Sequence, residues 1–93
     1  MRPEYEVSFY DSSKNLINCI GLNRNMTHNP ATIHEVWENM CFKDYTKKDF
    51  VQSLQDKMNS FDINSEEFRK LLKVLSDIVN DECFVHATHM YIS

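Results

Sequence analysis

Cys83-Phe84-Val85-His86-Ala87-Thr88-His89-Met90-Tyr91-Ile92 is the segment around which the rest of the chain must be arranged. It is apolar on much of both faces, with only His86, Thr88 and His89 interspersed. Read as a strand, it wants a central place in a sheet, with helices covering it on one side. The residues before it must then supply the strands that flank it and the helices that cover it.

The helix comes first, immediately upstream. Asn64 or Ser65 caps it, and Glu66 and Glu67 sit in its first turn, where negative charge meets the positive end of the helix dipole. Phe68, Leu71, Leu72, Leu75, Ile78 and Val79 follow at helical spacing and predict a buried stripe. Arg69, Lys70 and Lys73 cover the outer face, and the helix should stop near Asn80-Asp81. Before it, Thr46 caps a second helix with Asp49 in the N3 position, and Phe50, Val51, Leu54 and Met58 supply the apolar face. Asn59-Ser60 ends this helix, and Phe61 and Ile63 are expected to tuck the linker into the core. Phe42 to Tyr45 reads as a short connection with two aromatics to bury. Ahead of that, Ile33, Val36, Trp37 and Met40 stand at i, i+3, i+4, i+7, one face of a helix running to about Cys41. Pro30 suits its first position with Asn29 as cap, or Thr32-Ile33-His34-Glu35 opens it one turn later as a capping box. Asn23 to Asn29 reads as an Asn-rich loop.

The N-terminal third supplies strands. Tyr5, Val7 and Phe9 alternate with Glu6 and Ser8, the period of a half-buried strand. Asp11-Ser12-Ser13-Lys14-Asn15 is a turn cluster. Leu16 to Leu22 then reads as the second strand of a hairpin, with Leu16, Ile20 and Leu22 on one side and Ile17 and Cys19 on the other. The order β-β-α-α-α-β predicts an α+β domain over residues 1–93: an N-terminal β-hairpin, three α-helices and a C-terminal β-strand, forming a three-stranded sheet with helices packed on one face.

Composition narrows what such a domain does. A chain of 93 residues has room for one domain, and its 42% apolar content is enough for a core. The N-terminus, Met1-Arg2-Pro3-Glu4, is polar and offers no signal peptide, and no apolar run is long enough for a membrane span. Cys19, Cys41 and Cys83 are odd in number and widely spaced, so they read as reduced thiols of a cytoplasmic protein. The net charge of −4 is mildly acidic, which disfavours broad contact with a phosphate backbone.

Catalytic machinery is hard to assemble from this chain. No CxxC, HxxxH or HExxH spacing occurs, and His86 and His89, three apart on a strand, would point to opposite faces, so no metal and no cofactor is expected. The pairs Cys83 with His86 and Cys41 with His34 have the right residue types for nucleophilic catalysis. A single glycine, Gly21, leaves little of the strained turn chemistry that an oxyanion site or a phosphate cradle needs. The expectation is therefore a binding protein and not an enzyme.

Two surfaces compete for the binding role. Asp77, Asp81 and Glu82 sit at or past the end of the third helix, where acid opposes the dipole, and Glu35 and Glu38 flank Trp37, itself read as core. With exposed aromatics such as Tyr10, Tyr45 or Tyr91 they would suit a host or cognate protein with a basic surface. That is the leading expectation: an intracellular inhibitor or regulator of the immunity, antitoxin or phage host-takeover kind. The alternative is a nucleic-acid-associated regulator using Lys43, Lys47 and Lys48 or Arg69, Lys70 and Lys73, although Asp44, Asp49, Glu66 and Glu67 offset these. A homodimer through a hairpin edge or a helix face is a further expectation, because a thin core gains from a second subunit.

Ile33-His34-Glu35-Val36-Trp37-Glu38-Asn39-Met40 resembles, in its apolar-x-x-apolar-Trp-acid-x-apolar rhythm, the inhibitory helix of barstar-like ribonuclease inhibitors. The last helix and strand are also arranged as in that family. The match is confined to this octet. The chain lacks the family's Gly-x-Asn lead-in, has His34 where an acid is expected, and has a hairpin in place of the family's first helix. No residue's role is carried over from it.

Overall fold

The C-terminal stretch does sit centrally, but only its last part is strand. A computed structural model describes residues 5–22 and 30–93. Its elements in chain order are β1 (Glu6–Tyr10), β2 (Leu16–Gly21), α1 (Pro30–Met40), β3 (Asp44–Thr46), α2 (Lys47–Met58), α3 (Glu66–Val79), a 3-10 turn at Phe84–His86, and β4 (His89–Ile92). The fold is α+β, with one antiparallel four-stranded sheet in the order β2-β1-β4-β3. The expected Asn-rich loop and the Asn29 cap lie outside the described residues.

Three corrections to the sequence reading have identifiable causes. The sheet has a fourth strand, β3, which pairs with β4 at Asp44↔Tyr91, Tyr45↔Met90 and Thr46↔His89. A segment this short and half polar carries no periodic signal; β4 templates it. Second, residues 84–86 wind into a 3-10 turn instead of extending. Asp81 Oδ1 accepts the Cys83 N–H at 2.8 Å, and Lys47 Nζ donates to the Phe84 carbonyl at 3.0 Å while lying 4.7 Å from the Phe84 ring centroid. The Phe84 ring in turn meets Phe9 edge-on at 6.4 Å. Third, the β1–β2 register slips between Phe9↔Asn18 and Tyr10↔Leu16, leaving Ile17 as a bulge. That extra residue reverses the alternation. Leu16 falls on Tyr10's side of the sheet and is exposed, while Ile17 packs against the core.

The caps expected at Thr46 and Ser65 are formed. Thr46 Oγ1 accepts the Asp49 N–H at 3.1 Å at the start of α2, and Ser65 Oγ accepts the Phe68 N–H at 3.1 Å at the start of α3. Val7, Phe9, Met90 and Ile92 on the core side of the sheet are fully buried, as are Phe50, Leu54, Leu71 and Ile78 from α2 and α3. Trp37 of α1 is fully buried beside Ile33 and Met40, in the core as its spacing implied. Leu72 and Val79, expected in the α3 stripe, lie at its margin and are exposed. Ile63 is exposed as well, while Phe61 alone of that pair packs against the core.

Candidate functional site

Register and alternation determine what the sheet shows on its other side. Successive residues of a strand point to opposite faces, and paired residues share a face. With Val7, Phe9, Met90 and Ile92 in the core, Ser8, Tyr10, His89 and Tyr91 point the other way. Pairing extends those rows to Cys19 and Leu16 on β2 and to Asp44 and Thr46 on β3. Cys19, Leu16, Asp44, Thr46 and His89 are exposed. Ser8 is the exception: it is buried between its neighbours, and its hydroxyl lies 3.6 Å from Cys19 Sγ. The strand positions of this face thus hold aromatic, aliphatic and thiol groups, acids at Glu6 and Asp44, and no lysine or arginine.

Phe42 extends this face at the β3 side. It is 72% exposed, and its ring lies 6.4 Å from that of Tyr91. Its φ is 60°, in the left-handed region. The position explains the angle: Phe42 stands just past α1, where helices commonly turn through a left-handed residue, usually glycine. What the position does not explain is a phenylalanine, which carries a Cβ penalty of roughly 1–2 kcal/mol in this region. Its N–H donates to the Ile92 carbonyl at 2.8 Å, which ties the strained residue to the sheet. Backbone strain that presents a large apolar side chain to solvent is a pointer to function. No periodic pattern signals it, because the expectation for Phe42 was burial.

A groove of about 710 Å³ runs between β2 and α3. β2 contributes residues 18–21 with Leu22 just after it, and α3 contributes Glu66, Arg69, Lys70, Lys73, Val74 and Asp77, with Asp81 just beyond its end. Of the acids expected to bind a partner, Asp77 and Asp81 meet here. Asp77 accepts from Lys73 Nζ at 3.1 Å. Asp81 accepts from Asn18 Nδ2 at 3.2 Å as well as from the Cys83 N–H, so it also fastens the end of α3 to β2. Glu82 is exposed beside it. Glu35 and Glu38 are exposed on α1, and neither lines the groove. Tyr45 is half-buried; its hydroxyl donates to the Met40 carbonyl at 3.2 Å, and its ring packs edge-on against Phe50 at 5.6 Å. The structure therefore brings two of the six expected residues together and turns Tyr45 inward.

The described cysteines and histidines have the following contacts. Cys83 lies before the 3-10 turn, and burial, reinforced by Asp81, raises its thiol above the ordinary 9.0, opposite to what a thiolate nucleophile needs. Cys41 Sγ donates to the Glu38 carbonyl at 3.2 Å, while His34 shares a 3.2 Å hydrogen bond with the Tyr5 hydroxyl. His86 is in the 3-10 turn and His89 opens β4, where its Nδ1 lies 2.9 Å from Thr88 Oγ1. The expected single strand carrying both histidines is not formed. Among the described residues no cluster of three or more His, Cys, Asp or Glu is placed to hold a metal ion. Lys47 is engaged with Phe84, which divides the basic group Lys43, Lys47 and Lys48.

The chain matches no known protein family, no curated protein and no solved structure with which it was compared. No helix among the described residues is long and apolar enough to cross a membrane.

Proposed function

We propose that the protein is a non-catalytic, intracellular, protein-binding inhibitor or regulator whose partner presents a basic surface. One observation carries this reading: a sheet face that no described helix or strand covers, which combines Tyr10, Leu16, Cys19, Phe42 and Tyr91 with Glu6 and Asp44 and holds no strand-borne lysine or arginine. Aromatic anchors give such a surface affinity, and its acids steer cationic partners toward it. Glu35 and Glu38 on α1 and Glu82 past the end of α3 are exposed and add to the negative field. The three free cysteines, one of them exposed, suit a reducing compartment.

The test compares captures from a cell lysate by the wild-type chain, by Phe42→Gly with Asp44→Lys, and by Lys43→Glu with Lys48→Glu. The proposal requires a protein that the wild type and the lysine variant retain and the face variant loses. Retention of nucleic acid that fails in the lysine variant, or of a protein that survives the face changes, would refute it.

A further inference from the structure

The outer edge of β2 directs backbone groups away from the sheet. Leu22 donates its N–H to the Tyr5 carbonyl at 2.9 Å, so the even-numbered residues at this end of β2 direct their backbone groups toward β1. The N–H and C=O of Cys19 and Gly21 consequently point away from β1. Among the described residues no strand pairs with that edge. Natural sheets blunt such edges with charge, proline or short length. Leu16–Gly21 has neither charge nor proline, and only the bulge at Ile17 interrupts it.

The groove wall beside this edge narrows the choice of occupant. Along α3 the charges are ordered: Arg69, Lys70 and Lys73 toward its start, Asp77 and Asp81 toward and past its end. Within one copy Glu66, at the very start, is paired with Lys70 at 3.8 Å and Lys73 with Asp77 at 3.1 Å, so reversal would add cross-copy partners to charges already paired along the helix. Among the described residues the wall carries as many acids as bases, so these side chains offer a basic or an acidic partner no net attraction. It is matched instead to itself reversed. A two-fold axis that pairs β2 antiparallel with a second β2 also sets α3 antiparallel to its counterpart. The basic stretch of each helix then faces the acidic end of the other. Self-complementarity of this kind is what an isologous interface requires.

We propose that two copies of this chain associate through β2, forming one continuous sheet with α3 of each copy against α3 of the other. The uncovered faces of the two copies then lie side by side. This inference stands apart from the identity of any other partner.

Sedimentation velocity of the full chain over micromolar to millimolar concentrations tests it. Wild type is expected to be dimeric. Gly21→Pro removes an outward N–H while sparing the β1 ladder, and should give a monomer with an unchanged circular dichroism spectrum. Since a proline variant could instead misfold, charge exchange supplies a second test. Arg69→Glu with Lys73→Glu, and separately Asp77→Lys, should each weaken self-association by about tenfold or more, and mixing the two should restore it as a heterodimer. In a Cys41→Ser, Cys83→Ser background, a short bismaleimide should join Cys19 of the two copies. A chain that stays monomeric throughout, or a dimer indifferent to both the proline and the charge exchange, would overturn the proposal.

Discussion

The two edges of the sheet are opposites. β3 is three residues long, carries Asp44 and Thr46, and runs straight into α2 through the Thr46 cap. β2 is six residues long, is uncharged, and ends beside an open groove. β3 is already protected by brevity and by the helix that follows it. β2 relies on a single bulge. Among the described residues nothing pairs with the β2 edge, and the proposed self-association would put that edge to use.

Proline should separate the two edges most sharply. Gly21→Pro on β2 should reduce self-association by about a hundredfold or more. Asp44→Pro, at an outward backbone position of β3, should leave it unchanged. Equal effects from both would mean that the edges are not distinct. Second in size is Phe42→Gly. Releasing the left-handed backbone should raise unfolding stability by about 1 kcal/mol, measured by urea titration, while partner capture declines. A loss of stability would show that the Phe42 ring holds the fold instead of serving an interface. Thr46→Ala should cost about 1 kcal/mol by uncapping α2, without affecting self-association.

The smallest expected effect is alkaline. Burial, with Cys41 adding to it, raises Tyr45 above its ordinary 10.0, and Cys83 is raised above 9.0. Folding favours the protonated form of both groups. Their contribution is fully present below the unfolded values and is lost as pH rises past them, because the unfolded chain releases its protons first. Urea midpoints should therefore decline first through ionisation at Cys83 and then at Tyr45, with Cys83→Ser and Tyr45→Phe each flattening its own part. Acid has the reverse sign at Asp11, which is held below 3.8 chiefly by the Asn15 N–H. Its contribution is present above that value and falls away as pH drops through it.

Much of the fold could be read from side-chain spacing. The hairpin, the caps at Thr46 and Ser65 and the buried faces of α1 and α2 follow from local pattern, because periodicity and capping are local physics. The features that escaped depend on distant partners. β3 exists because β4 lies beside it, and the 3-10 turn exists because Lys47 reaches Phe84 across 37 positions of sequence. The bulge at Ile17 reversed the reading of Leu16. The site was less legible than the fold. Asp77 and Asp81 were recognisable as acids at a helix end, but that they share a groove with Arg69 and Lys73 depends on where α3 lies against β2. The uncovered face likewise emerges only from register.

Amide hydrogen exchange measured at low and high protein concentration tests the contrast between the edges most directly. The Cys19 and Gly21 amides are expected to become protected as concentration rises, while those of Asp44 and Thr46 do not change. Fast exchange at Cys19 and Gly21 at every concentration, or protection arising on β3 instead, would contradict it.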